Sequence, residues 1–130
     1  MIEEYRFGSI TIDGKTYNHD VEVRWAPHQK FGGGQVGEVL KWWRKESHII
    51  DVEDVKRAMA QKPDTIVIGT GHSGIAEVNE AAKKEIQAKG IKLIVDLTEQ
   101  AVKTFNIINE ESAREEGKQE KVIGLFHLTC

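Results

Sequence analysis

The chain has 130 residues, of which 39% are hydrophobic and 30% are charged, and its net charge is -3. This balance is typical of a packed domain and not of a disordered chain. The weak negative charge argues against nucleic acid as a partner. No apolar run approaches the roughly 20 residues of a membrane span, and the first residues lack a signal-peptide pattern. We therefore expect one cytoplasmic domain over 1–130, with no membrane partner.

The N-terminal part predicts an antiparallel hairpin. Tyr5–Ile12 and Lys15–Trp25 both have strand-like alternation, and Asp13-Gly14 lies between them. Asp-Gly between two such runs is a strong signal for a tight turn. We therefore expect two paired strands with Ile12 and Lys15 flanking the turn.

From residue 51 onward, helical and strand-like segments alternate. In chain order they are a helix capped by Asp51 and ended by Pro63, a strand at Thr65–Ile68, a helix at about Asn79–Lys89, a strand at Ile91–Val95, a helix capped by Thr98, a charged helix end and loop at Glu110–Lys121, and a strand at Val122–Leu128. This order predicts a mostly parallel sheet covered by helices. Because such a sheet hides both faces, we expect these apolar residues to be largely buried: Ile66, Ile68, Leu93, Val95, Phe105 and Leu125.

The sharpest motif is the loop Gly69–Gly74, which has the spacing G-x-G-x-x-G directly after a predicted strand. Asp96 lies about where a dinucleotide-binding fold has the acidic residue that binds a ribose, so the pattern matches that of a dinucleotide site. Such a site also needs a helix that starts at the glycines. Here the better helix cap is Asn79, about five residues later, which disfavours a dinucleotide. A structural turn and a site for a small anion or polar ligand remain as alternatives. The candidate ligand-binding residues are Thr70, Gly71, His72, Ser73, Gly74 and Cys130.

An anion in this loop would be held by inward-turned N-H groups and by hydroxyl donors. Protonation of His72 adds positive charge, so binding is expected to strengthen as the pH falls. A second glycine match, Gly32–Gly37, is separated from the preceding strand by several residues and favours a flexible hairpin loop.

The segment Lys41–Lys45 mixes basic and aromatic residues. That mixture occurs in proteins that bind single-stranded nucleic acid, but flanking glutamates favour a strand or helix edge with one buried tryptophan. An exposed tryptophan here would instead favour a partner-binding patch. The candidate partner-binding residues are Trp42, Trp43 and Arg44.

The sequence predicts no metal, cofactor or catalytic residue. The five histidines form no i, i+4 pair and have no cysteine companion at metal-ligand spacing. Two neighbouring pairs, His72 with Ser73 and His127 with Cys130, are the only combinations of a base with a nucleophile. Adjacent residues of an extended segment point to opposite sides, so His72 and Ser73 do not form a dyad by sequence alone.

Several short segments, in their order and spacing, resemble the Mth938-like domain family. They are Phe7-Gly8, Ile12-Asp13-Gly14-Lys15, Trp43-Arg44 with His48, Ile68-Gly69-Thr70-Gly71, Ser73-Gly74 and His127-Leu128-Thr129-Cys130. The resemblance covers nearly the whole chain. It implies a three-layer α/β fold, in which helices flank a mixed, largely parallel central sheet and an antiparallel hairpin lies at the N-terminus.

The resemblance also implies a function class. Stand-alone archaeal and bacterial members have no established activity, eukaryotic relatives are linked to complex I assembly and adipogenesis, and no catalytic residues carry over. We therefore expect a non-catalytic protein-binding or assembly module that binds an unknown protein partner or forms a homo-oligomer. The alternative is a small-molecule or anion-binding protein, or an enzyme, that uses the Gly69–Gly74 loop.

Overall fold

A computed structural model describes residues 1–26, 35–114 and 120–130, with side chains omitted at 112–114. The strands of the described part are β1 (Ile2–Arg6), β2 (Ser9–Ile12), β3 (Lys15–Tyr17), β4 (Val21–Trp25), β5 (Val36–Lys41), β6 (Ile49–Ile50), β7 (Thr65–Gly69), β8 (Glu77–Val78), β9 (Lys92–Asp96) and β10 (Val122–Phe126). The helices are α1 (Val52–Ala60), α2 (Glu80–Ala88) and α3 (Thr98–Arg114). Of the predicted hairpin loop Gly32–Gly37, residues 32–34 lie outside the described residues, whereas Val36 and Gly37 belong to β5. Of the predicted charged segment Glu110–Lys121, residues 115–119 lie outside the described residues, and the part up to Arg114 continues α3.

The central sheet has five strands in the order β5-β4-β10-β7-β9. Its strands β10, β7 and β9 are parallel, whereas β4 and β5 run antiparallel to their neighbours. Apolar side chains cover both faces, with α1 and α2 packing on one face and α3 on the other. The expected mixed α/β fold is confirmed, with the predicted β-α-β-α-β order running from β7 to β10.

The N-terminal hairpin is confirmed, but both of its predicted strands were too long. Asp13 and Gly14 have positive φ angles of 48° and 81° and connect β2 to β3. A second two-residue turn at Phe7-Gly8 interrupts the first predicted strand and pairs β1 with β2. The second predicted strand ends at Tyr17, because the chain turns at 18–20 and enters the central sheet as β4.

Two of the three predicted helix caps act as expected. Asp51 forms a capping box with Asp54 at the start of α1, and the Asn79 side chain accepts the Ala82 N-H at 2.9 Å at the start of α2. Helix α3 does begin at Thr98. However, the Thr98 hydroxyl donates to the carbonyl oxygen of residue 127 at 2.6 Å and does not cap the helix.

The burial prediction was correct for four of the six residues. Ile66, Ile68, Phe105 and Leu125 are fully buried, whereas Leu93 is half-buried and Val95 is 42% exposed. Both exceptions lie on β9, which is an outer strand of the described sheet and has a described neighbour on one side only. No helix in the described ranges has the length and apolarity needed to cross a membrane.

Candidate functional site

All five strands of the central sheet have an end or a start on one side of the molecule. The residues that lie side by side there, one from each strand in sheet order, are Lys41, Val21, Phe126, Gly69 and Asp96. We call this side the carboxyl end, because the parallel strands β7, β9 and β10 all finish there. Ligand sites of open α/β sheets lie in this position. The glycine-rich loop and the 127–130 segment start directly from it.

Most of the N-H groups at the start of the glycine-rich loop are directed into the protein. The N-H of Thr70 donates to the Asp96 carbonyl at 2.9 Å, that of Gly71 to the Thr98 hydroxyl at 2.9 Å, and that of His72 to the Thr129 carbonyl at 2.7 Å. These three groups therefore connect the loop to the end of β9, the start of α3 and the 127–130 segment. They do not form the anion-accepting nest that the sequence predicted.

Gly71 shows why this loop needs glycine. Its φ is +107°, and a Cβ atom placed there would lie 2.6 Å from the Thr129 carbonyl oxygen. No L-residue fits that combination of backbone angle and close approach without a shift of the chain. The first half of the loop is thus a structural turn.

The second half of the loop borders an open cleft of about 640 Å³. The cleft is lined on one side by the loop and on the other by α2 and β9, with contributions from Thr70, Ser73, Gly74, Lys83, Val95 and Leu97. Three predicted ligand-binding residues do not line it: Gly71, His72 and Cys130. The His72 ring lies 5.8 Å from the Phe7 ring and 6.3 Å from the Tyr5 ring, and Cys130 is an exposed free thiol outside the cleft.

A largely buried charge cluster lies at the carboxyl end, and we define it as Asp20, Arg44 and His127. The Asp20 Oδ2 atom lies 2.8 Å from His127 Nδ1 and 2.8 Å from Arg44 Nη2. Its other oxygen accepts the Leu128 N-H at 2.9 Å. Burial opposes ionisation of Asp20, but the hydrogen bonds from His127 and Leu128 and the nearby charges outweigh it and hold its pKa below the usual value.

This cluster ties together distant parts of the chain. Arg44 Nη1 also donates to the Ser47 carbonyl at 2.7 Å, which fixes the segment after β5. The Nε2 atom of His127 lies 3.5 Å from the Thr129 hydroxyl, which is long for an activated nucleophile. Among the residues that the structure describes, no three potential ligands come together to bind a metal ion.

The three predicted partner-binding residues occupy different environments. Trp42 is 4% exposed and its indole N-H donates to the Asp54 carbonyl at 2.8 Å, so it belongs to the core. Arg44 is held in the buried charge cluster. Trp43 alone of the three faces solvent, with 70% of its surface exposed and the Lys41 ammonium 4.2 Å from its ring centre.

Exposed apolar side chains collect at the carboxyl end. Eight large apolar residues of the described chain are exposed, and four of them lie in the loops and turns of this end: Phe7, Trp43, Ile75 and Leu97. We call these four the apolar rim. The Phe7 ring packs edge-on against His72, and a Cβ atom on Gly74 would contact Leu97, so members of the rim flank the glycine-rich loop on both sides.

Comparison with known proteins extends the fold assignment. The family described as "Protein of unknown function (DUF498/DUF598)" matches residues 2–117. The conserved hypothetical protein PH1505 from Pyrococcus horikoshii OT3 is 24% identical, with a TM-score of 0.76 over 100% of this chain and 99% of that one. The structure named MT938 is 26% identical, with a TM-score of 0.71 over 100% and 98%. A protein from Bordetella parapertussis is 20% identical, with a TM-score of 0.66 over 96% and 93%.

Proposed function

The chain belongs to the DUF498/DUF598 family and has the Mth938-like fold, and we propose that it is a non-catalytic protein-binding module whose docking surface is the apolar rim. The observation that carries this proposal is the exposure of two large aromatic side chains on one side, Phe7 at 60% and Trp43 at 70%. Aromatic residues supply much of the binding energy of protein interfaces when a partner removes them from water.

The turn that carries Phe7 is held by hydrogen bonds, which favours binding at this part of the rim. Phe7 lies in a two-residue turn, and the N-H of the next residue, Gly8, donates to the Leu128 carbonyl at 2.8 Å. The Tyr5 hydroxyl donates to the same carbonyl at 3.2 Å, beneath the His72 ring. A surface that is already ordered loses less conformational entropy when a partner binds.

The chemistry of the carboxyl end also supports binding over catalysis. His127 is buried, and its Nδ1 atom lies within hydrogen-bond distance of both the Asp20 carboxylate and the Arg44 guanidinium. Within the described part of the chain, no hydrogen bond joins the Ser73 hydroxyl to a basic side chain. A nucleophile and its base are normally joined in this way.

Co-purification from cells of the source organism tests this function. We expect the tagged protein to retain a partner protein. Phe7→Ser and Trp43→Ala should each weaken the affinity for this partner by about tenfold or more, as substitutions of hot-spot residues do. Ile107→Ser is the matched control, because Ile107 is 55% exposed on α3, away from the rim. An equal loss of partner binding in the control, or unchanged binding in both rim variants, would refute the assignment of the apolar rim as the docking surface.

The cleft supports a second candidate function, the binding of a small anion or polar ligand. Its volume falls in the range of ligand sites, and the Lys83 side chain lines it. In the described residues, the N-H groups of Ser73 and Gly74 have no protein acceptor, so they remain free to bind a ligand. Titration with phosphate, sulfate and NAD should then shift these two amides, and Lys83→Gln should weaken the response. Unshifted amides at millimolar anion would exclude this function.

A further inference from the structure

The outer edge of β9 in the central sheet has backbone hydrogen-bonding groups without a partner among the described residues. Of the strands that the structure describes, β7 alone pairs with β9. The Lys92 N-H donates to the Asp64 carbonyl at 3.0 Å, and the Asp96 carbonyl accepts from Thr70 at 2.9 Å. Successive residues of a parallel strand direct their backbone groups to opposite sides. The N-H and C=O groups of Leu93 and Val95 therefore point away from the sheet.

The other outer strand, β5, is protected at its edge. Its pairing with β4 contains a register shift between Val23 and Trp25, and the N-H of Val36 donates to the Asp13 carboxylate at 3.0 Å. Irregular pairing and charged side chains are common ways to block an edge strand. Strand β9 lacks such irregular pairing, since all five of its residues pair with β7 in one unbroken register.

The β9 sequence is complementary to itself. It reads Lys92-Leu93-Ile94-Val95-Asp96, with a cation at one end, an anion at the other and three apolar residues between them. When two such strands run antiparallel about Ile94, each Lys92 faces the Asp96 of the other copy, and each Leu93 faces Val95. Oppositely charged and apolar cross-strand pairs stabilise an antiparallel ladder. Among the described residues, neither Lys92 nor Asp96 has an ion pair within one copy.

We propose that two copies of this chain associate through β9, in antiparallel register about Ile94, to form a continuous ten-stranded sheet. The outward groups of Leu93 and Val95 then exchange hydrogen bonds with those of the second copy. The exposed side chains of this strand, Val95 among them, lose contact with water. Pairing of two copies goes beyond the proposed function, because it uses neither Phe7 nor Trp43.

The contact is short, so we expect a reversible dimer with a Kd in roughly the micromolar range, as for small interfaces. Sedimentation velocity over a concentration series should detect it. Lys92→Asp places two anions opposite each other, and Asp96→Lys places two cations opposite each other, at both ends of the pairing. Each variant alone should weaken dimerisation by about tenfold or more, because like charges directly across a ladder are destabilising.

The most decisive experiment measures dimerisation in a mixture of the two charge variants. Their heterodimer again places opposite charges across both ends, so the equimolar mixture should dimerise about as well as the unmodified chain. Lys41→Asp, on the β5 edge, is the matched control and should leave dimerisation unchanged, as should Phe7→Ser. A monomeric unmodified chain, or variants that dimerise normally alone, or a mixture that stays monomeric, would overturn the proposal.

Hydrogen exchange gives a second test that needs no substitution. The amides of Leu93 and Val95 should exchange more slowly as protein concentration rises, because only the dimer gives them acceptors. Exchange rates of these two amides that do not change with concentration would overturn the proposal even if a charge variant fails to fold. Loss of partner binding in Phe7→Ser with unchanged dimerisation separates this proposal from the docking function.

Discussion

The middle of the central sheet and its carboxyl end distribute polar and apolar side chains in opposite ways. In the middle, β7 and β10 are buried along their whole lengths and carry mainly apolar residues. At the carboxyl end, a cluster of charged groups is buried while the large side chains of the apolar rim face solvent. The usual rule of an apolar interior is thus locally reversed. Such local departures from the general pattern are expected at functional surfaces more than elsewhere.

The neighbouring tryptophans give the largest contrast between inside and outside. Trp42→Ala should lower the free energy of unfolding by about 4 kcal/mol, because it leaves a cavity and removes the indole hydrogen bond. Trp43→Ala should change it by less than about 0.5 kcal/mol, since the ring is exposed. Urea denaturation of the two variants measures both values. Similar losses in the two would mean that the carboxyl end is not divided into a core side and a docking side.

The buried charge cluster should give the next largest effect. Asp20→Asn keeps the shape of the side chain but leaves Arg44 without its carboxylate, and a broken buried ion pair costs about 3 kcal/mol. The same denaturation experiment applies. Glu38→Gln is the control, because Glu38 is exposed and 3.8 Å from its arginine partner. A loss for Asp20→Asn no greater than for the control would show that the cluster is not important for stability.

The glycine-rich loop should show a smaller but clear effect. Gly71→Ala forces a Cβ atom toward the Thr129 carbonyl at a backbone angle that only glycine adopts easily, and we expect a loss of about 2 kcal/mol. Gly90→Ala is the control for the backbone angle alone, because Gly90 has a φ of +73° and nothing within 4 Å of a Cβ atom. Equal losses of unfolding free energy in the two variants would mean that the close approach of Gly71 to the 127–130 segment does not contribute to stability.

The acid dependence of stability should give the smallest effect. The pKa of Asp20 is lowered in the folded protein, so its contribution is fully present above the unfolded value of about 3.9. That contribution is lost as the pH falls through the folded-state pKa. The difference in unfolding free energy between the unmodified chain and Asp20→Asn should therefore narrow below about pH 4. A constant difference from pH 7 to pH 3 would disprove a depressed pKa.

Local sequence signals predicted the elements that depend on neighbouring residues. Asp13-Gly14 gave the hairpin turn, and Asp51 and Asn79 gave the starts of two helices, because turns and caps form among residues close in sequence. Phe7-Gly8 was missed as a turn, since it is not one of the residue pairs that commonly form two-residue hairpin turns.

Features set by strand order could not be predicted in this way. Asp20 and His127 are 107 positions apart and meet only because β4 lies beside β10. The exposure of Val95 likewise follows from the outer position of β9, which no local pattern encodes. The segments that resemble the family include Arg44 and His127, but not Asp20, whose carboxylate contacts both. The ligand site at the glycine-rich loop therefore stays a prediction, and the N-H groups of Thr70, Gly71 and His72 that were expected to serve it bond within the protein instead.

Site-specific photo-crosslinking in cells of the source organism tests the docking surface most directly. A photoreactive phenylalanine analogue is placed at Phe7, at Trp43 or, as the control, at Ile107, and the adducts are identified by mass spectrometry. The account predicts that positions 7 and 43 both capture the same protein and that position 107 captures none. Capture from position 107 alone, or the absence of any adduct from positions 7 and 43, would contradict the assignment of the apolar rim as the docking surface.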